Sequence, residues 1–138
     1  MSILNEYINK LRSSGLRPTR QRIKICEVLF NSKETFHFTI KQLSKMIENN
    51  VSSRVSLATI YNTVHTFREK GYLKEIAINS SESYFDTNTS QHHHFFDVNE
   101  NKLIDLEDQE VEPIQIKKTI PGKKIKSVEI LVKIDSDN

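Results

Sequence analysis

The feature that most constrains the fold of this chain is a change in hydrophobic period at Gly71. Before it, four segments carry apolar residues at the spacing of an amphipathic helix: 3–12, 20–31, 40–49 and 57–70. After it, YLKEIAI at 72–78 and ESYFD at 82–86 alternate with a period of two around Asn and Ser residues, the pattern of a β-hairpin. Helices followed by such a hairpin predict a winged helix-turn-helix.

Capping residues mark where three of these helices are expected to begin. Thr19 precedes the second segment, Ser56 precedes the fourth, and Thr39 with Gln42 forms a capping-box pattern ahead of the third. The fourth helix is expected to bury one apolar face made of Leu57, Ile60, Val64 and Phe67. Its opposite face is polar, so we expect that face to be exposed and available to a partner.

The remainder of the chain predicts a small α/β lobe. HHHFFDV at 92–98 and KLIDL at 102–106 read as a second hairpin, a short helix is expected from Pro113, and 125–134 alternates as a final strand. Such a lobe has little material to bury its own sheet, which favours pairing with a second copy of the chain.

We therefore predict an α+β protein with two domains. Residues 1–86 form a winged-helix DNA-binding domain, the small polar stretch TNTSQ at 87–91 is a hinge, and 92–138 form a dimerisation domain.

Charge is distributed unevenly between the two halves. Residues 1–75 contain 13 Lys and Arg against 6 Asp and Glu, whereas 76–138 contain 7 against 12. A basic N-terminal half favours an anionic polymer as partner. The sequence has no apolar run near the ~18 residues of a membrane span and no signal-peptide core, so we expect a cytoplasmic protein without a membrane partner.

The polar face of the fourth helix carries side chains of the kinds that read DNA. Tyr61 can pack on thymine methyl groups, and Asn62 can pair with adenine through two hydrogen bonds. With hydroxyls at the helix N-terminus and arginines where the chain enters the second helix, the candidate DNA-contacting residues are Arg17, Arg20, Arg22, Ser56, Thr59, Tyr61 and Asn62. The alternative is an ordinary solvated helix face.

Three consecutive histidines, His92, His93 and His94, fall in a predicted strand. Successive side chains of a strand point to opposite faces, so His92 and His94 share one side and His93 faces the other. The tract can be a metal site, a haem site or an exposed tract without a ligand.

Three stretches together resemble the Fur superfamily of metal-responsive bacterial regulators, most closely its iron response regulator branch, Irr: GLRPTRQR at 15–22, VSLATIYNTVHTFREKGYL at 55–73 and YFDTNTSQHHHFF at 84–96. The resemblance covers roughly residues 5–134. It implies a homodimer that binds A/T-rich palindromic operators, with Tyr61 and Asn62 reading bases in the major groove and Arg17 near the minor groove.

The resemblance also implies ligands. The family's regulatory metal site matches His37, Asp86, His92, His94 and, as in the peroxide-sensing branch, Asp105. Nitrogen and oxygen ligands of this kind suit Fe²⁺, Mn²⁺ or Zn²⁺. In the Irr branch a triple histidine is associated with haem, which makes His92, His93 and His94 candidate haem ligands.

Two other metal sites of the family are incomplete in this chain. At the second site His93 retains Glu112 as a matching partner, while Gln91 and Val128 replace the other ligands. The paired cysteines of the structural zinc site are missing, because Cys26 is the chain's single cysteine.

The sequence thus predicts an iron- or haem-responsive DNA-binding transcriptional regulator and not an enzyme. The alternative within the family is a zinc, manganese or peroxide sensor that does not use haem. From other classes, a metal-dependent hydrolase would use the same ligands, but no evident general base or nucleophile accompanies them. A basic scaffold would show no preference for A/T-rich palindromes.

Overall fold

The computed structural model describes residues 2–50 and 54–137, with the side chain of Asn50 left out. The chain divides into two units, Met1–Thr89 and Ser90–Asn138. Within the described ranges, every helix is too short or too polar to cross a membrane.

The first unit is a winged helix-turn-helix, as the change of period predicts. Its elements in chain order are α1 (Ile3–Ser13), α2 (Arg20–Phe30), β1 (His37–Phe38), α3 (Ile40–Asn50), α4 (Leu57–Glu69), β2 (Lys74–Ala77) and β3 (Ser83–Asp86). The three strands form an antiparallel sheet in the order β1-β3-β2. The two-residue strand β1 was not predicted, because two residues are too few to show a period.

The predicted caps are confirmed. The hydroxyl of Thr19 accepts from the backbone N–H of Arg22 at 3.3 Å, and that of Ser56 accepts from the N–H of Thr59 at 3.2 Å. Thr39 and Gln42 form the reciprocal pair of a capping box at 3.0 and 3.1 Å. These bonds satisfy donors that the first turn of a helix leaves without partners.

The apolar face of α4 differs from the predicted one at its first residue. Ile60, Val64 and Phe67 are buried, but Leu57 is 61% exposed because it lies in the first turn, beyond the edge of the core. Thr63 takes a buried place instead. Its hydroxyl donates to the carbonyl of Thr59 at 2.7 Å, so a polar residue can be buried there at little cost.

Cys26 lies in the core of the first unit and is fully buried. Burial raises the pKa of its thiol to about 12. Because the thiolate is the reactive form, we expect no alkylation of the folded protein by iodoacetamide even at pH 9 and rapid alkylation in denaturant, measured by mass spectrometry. Labelling of the folded protein at the rate of a small-molecule thiol would contradict this burial.

The second unit is a small sheet with one short helix. It contains β4 (His92–Asp97), β5 (Lys102–Glu107), a 3₁₀ helix (Asp108–Glu110) and β6 (Leu131–Ile134). The strand order is β5-β4-β6, with β4 antiparallel to β5 and parallel to β6. The β4–β5 hairpin was predicted, and its turn is closed by Asp97, whose side chain accepts from the N–H groups of Asn99 and Glu100.

Two predictions for this unit are wrong. No helix begins at Pro113, since residues 111–130 contain neither helix nor strand; alternating isoleucines at 114 and 116 disfavour a helix there. The last strand covers 131–134 and not 125–134. The N–H of Ile130 bonds to the ring of His93 at 3.1 Å, so the regular ladder with β4 begins one residue later.

Candidate metal centre and DNA-binding surface

His92 and His94 lie side by side on one face of β4, as the period of a strand predicts. Their ring centroids are 4.5 Å apart, and the two residues are 1% and 4% exposed. Two buried imidazoles on one face of a strand form half of a common transition-metal site.

Asp105 completes this group from the neighbouring strand. It pairs with His94 in the β4–β5 register, and its Oδ1 lies 3.4 Å from His94 Nε2 and 3.7 Å from His92 Nε2. The candidate ligand atoms of the three residues lie within 4.8 Å of one another. Ligands bound at about 2.1 Å to one ion are about 3.0–3.5 Å apart, so small rotations of these side chains suffice to hold one.

The backbone fixes the orientation of His92. Its Nδ1 lies 2.8 Å from the carbonyl oxygen of Ser90. A carbonyl only accepts hydrogen bonds, so Nδ1 donates to it and Nε2 is the nitrogen that faces Asp105 and is left to bind a metal. This arrangement, in which a carbonyl holds the far nitrogen, is how proteins orient metal-binding histidines.

The two remaining predicted ligands belong to the first unit. His37 and Asp86 are directly paired across β1 and β3, so their side chains share one face of that sheet. Asp86 is buried and its carboxylate accepts from the N–H of Asn88 at 2.9 Å, while the ring of His37 lies edge-on to Tyr84 at 6.0 Å. Three predicted ligands therefore cluster in the second unit and two in the first.

His93 points to the other face of β4 and is satisfied by the protein. Its Nδ1 accepts from the N–H of Ile130 at 3.1 Å, so Nε2 carries the proton and donates to Asp108 at 3.0 Å. Both ring nitrogens are thus engaged, an arrangement that does not favour His93 as an axial ligand to haem. Asp108 was missed from the sequence because its approach depends on a 3₁₀ turn without a sequence signature.

The residues of the family's other two metal sites do not fit a metal in this chain. Around His93 is a cavity of about 570 Å³ lined in part by Gln91, Asp108, Glu112 and Val128, so its two carboxylates are Glu112 and Asp108, and Asp108 already bonds to the imidazole. The sole cysteine is buried in α2, so a site of paired cysteines cannot form.

The polar face of α4 is exposed and its side chains are oriented by one another. Tyr61 is 56% exposed, and Asn62 is exposed beside it. The hydroxyl of Thr66 donates to the Asn62 carbonyl at 2.8 Å and lies 3.3 Å from its side-chain oxygen, and the hydroxyls of Ser56 and Thr59 are 2.8 Å apart.

The three predicted arginines differ in exposure. Arg17 and Arg20 are exposed, whereas Arg22 is partly buried and its Nη1 donates to the backbone carbonyl of Arg17 at 2.9 Å. Arg22 therefore shapes the loop that carries Arg17, a role that the sequence did not indicate.

A winged helix-turn-helix joined to a unit with clustered histidines and an aspartate defines a class, the metal-responsive transcriptional regulators. The model of the ferric uptake regulator family matches residues 13–134. The chain belongs to that family, whose members are regulators and not enzymes.

Two relatives from bacteria are similar over most of the chain. The peroxide operon regulator of Bacillus subtilis is 37% identical over 103 residues, covering 75% of this chain and 69% of the relative. The peroxide-responsive repressor PerR of Staphylococcus aureus is 32% identical over 112 residues, covering 81% and 74%. Both carry the names of peroxide regulators, which favours the haem-free alternative over an Irr-like reading.

Solved structures support the fold. The ferric uptake regulator of Pseudomonas aeruginosa with manganese matches with a TM-score of 0.71 at 20% identity, covering 99% of this chain and 100% of the other. The peroxide stress regulator of Campylobacter jejuni matches with a TM-score of 0.62 at 18% identity, covering 100% and 98%. These likenesses confirm the predicted α+β architecture.

Proposed function

We propose that this protein is a homodimeric DNA-binding repressor that responds to a divalent transition metal without haem and senses peroxide through that metal. The observation that carries the proposal is the convergence of His92 Nε2 and His94 Nε2 on Asp105 Oδ1. Peroxide is proposed as the signal because both relatives carry the names of peroxide regulators.

In this proposal His37 and Asp86 join the three ligands of the second unit around one ion. A ligand set drawn from both sides of the 87–91 hinge would make the angle between the DNA-binding domain (1–86) and the dimerisation domain (92–138) depend on metal. In a dimer that angle sets the spacing of the two α4 helices, and only a spacing that matches two half-sites binds an operator.

The DNA-reading element is α4. Tyr61 is suited to thymine methyl groups and Asn62 to adenine, which supports an A/T-rich operator. Exposed Arg17 and Arg20, with the hydroxyls of Ser56 and Thr59, are suited to the phosphates, and Arg22 acts by holding the Arg17 loop.

Dimerisation is assigned to the second unit. Its sheet has three strands, and five of its isoleucines are exposed: Ile104, Ile114, Ile116, Ile120 and Ile125. Large apolar side chains left exposed in so small a unit support burial against a second copy of the chain.

The test is operator binding by fluorescence anisotropy across titrations with Mn²⁺, Fe²⁺, Zn²⁺ and haem. The operator probe is an A/T-rich palindrome selected from random duplexes by the Mn²⁺-loaded protein. Metal should increase affinity for this palindrome over a shuffled duplex, and haem should produce neither a defined Soret band nor a change in affinity.

Peroxide separates the proposed sensor from a plain metal sensor. Hydrogen peroxide should lower the operator affinity of the Fe²⁺-loaded protein and leave the Zn²⁺-loaded protein unchanged, because Zn²⁺ has no redox chemistry. If peroxide left the operator affinity of the Fe²⁺-loaded protein unchanged, the protein would be a metal regulator that does not sense peroxide.

A further inference from the structure

We infer that His65 is a positioning residue that holds the ring of Tyr61 in the orientation with which α4 reads DNA. The inference rests on the proposed role of α4 as the recognition helix. His65 itself lies one turn further along the helix, and we propose no contact between it and a base.

The two rings are in direct contact. Tyr61 and His65 are four residues apart on α4, which places their side chains on the same face. Their ring centroids are 4.0 Å apart with an angle of 40° between the planes. Tyr61 is 56% exposed, so more than half of the residue stays in solvent despite this contact.

His65 is in turn held by the core. Its ring meets that of Phe85 edge to face at 5.3 Å and 80°, and Phe85 is 2% exposed. Phe85 stacks on Phe38, which is 1% exposed, at 6.1 Å. The exposed ring that is proposed to read bases is thus connected to the rigid interior of the same unit through one partly buried imidazole.

This connection matters because an exposed tyrosine otherwise has several rotamers. Immobilising a side chain on binding reduces affinity, and holding it beforehand in its bound orientation recovers that loss. We expect His65 to contribute about three- to tenfold in operator affinity through Tyr61. The alternative is that His65 contacts a phosphate itself, which would be indifferent to base identity.

The experiment compares His65→Ala, His65→Phe, Tyr61→Ala and the Tyr61→Ala/His65→Ala double variant in the Mn²⁺-loaded full chain. The probe is the selected A/T-rich palindrome with each thymine replaced in turn by uracil, which lacks the methyl group. The position at which uracil weakens the wild type but not Tyr61→Ala identifies the thymine that Tyr61 contacts.

At that position we expect the several-fold penalty for uracil to fall toward one in His65→Ala and to persist in His65→Phe, which keeps a ring against Tyr61. The double variant should bind about as well as Tyr61→Ala alone, because His65 acts through Tyr61. Urea unfolding of each variant measures its folding stability. This shows whether a loss of operator affinity is accompanied by a loss of stability.

Equal losses on thymine and uracil probes, with a shallower salt dependence for His65→Ala, would overturn the inference in favour of a phosphate contact. So would a His65→Phe variant that behaves as His65→Ala does. Absence of any wild-type preference for an A/T-rich palindrome would instead overturn the proposed function, and this inference with it.

Discussion

Replacing His94 with alanine is expected to lower Mn²⁺ affinity by at least about 100-fold and to abolish metal-dependent operator binding. His94 is 4% exposed, and its Nε2 lies 3.4 Å from Asp105 Oδ1. The proposed metal ion would bind between these two atoms. Alanine removes this imidazole ligand and leaves no side chain that can replace it. Isothermal titration calorimetry gives the Mn²⁺ affinity, and anisotropy gives the operator affinity with and without metal.

A matched pair of carboxylates provides the control. Asp105→Asn should weaken Mn²⁺ binding, whereas Glu100→Gln, an equal change of charge in the exposed β4–β5 turn, should leave it unchanged. Metal binding at 100 times the dissociation constant stabilises the folded state by roughly 2.7 kcal/mol, so the same ranking should appear in thermal shifts. Undiminished Mn²⁺ affinity in His94→Ala would remove the proposed metal centre.

The second large effect is expected at Asn62. Asn62→Ala should weaken binding to the selected palindrome by about 10- to 100-fold and relax the preference for adenine at one position, since a bidentate contact discriminates by roughly 1–3 kcal/mol. Thr66 donates its hydroxyl proton to the backbone carbonyl of Asn62 at 2.8 Å and lies 3.3 Å from the side-chain oxygen, next to the amide that is proposed to read adenine. Anisotropy with single-base variants of the palindrome measures both the affinity and the preference.

Two further variants distinguish base reading from general attraction. Asn31→Ala, at the exposed C-cap of α2, should bind as the wild type does. Arg17→Ala should weaken binding to palindrome and random duplex alike and reduce the salt slope by about one ion. If Asn62→Ala followed the pattern of Arg17→Ala, Asn62 would be a backbone contact and the proposed reading of adenine would be wrong.

Local patterns in the sequence predict what depends on neighbouring residues. The helices of the first unit, the caps at Thr19, Thr39 and Ser56, and the shared face of His92 and His94 each follow from a period or a spacing of a few residues. Leu57 departs from its pattern because the edge of the core, and not the helix period, decides burial in a first turn.

Contacts between distant segments could not be predicted in this way. The parallel pairing of β6 with β4, the short strand β1 and the bond from His93 to Asp108 depend on how the chain returns on itself. The place of Asp105 opposite His94 depends on the register set by the β4–β5 turn, so only the resemblance to a known family indicated it.

The single cysteine of the chain has a practical consequence. Because Cys26 is shielded in the core, a cysteine introduced at Lys70, the exposed C-cap of α4, would be the one site open to a nitroxide reagent. Pulsed electron resonance on a pair of such labels would read the separation of the two α4 helices as a distance distribution, before and after Mn²⁺ is added.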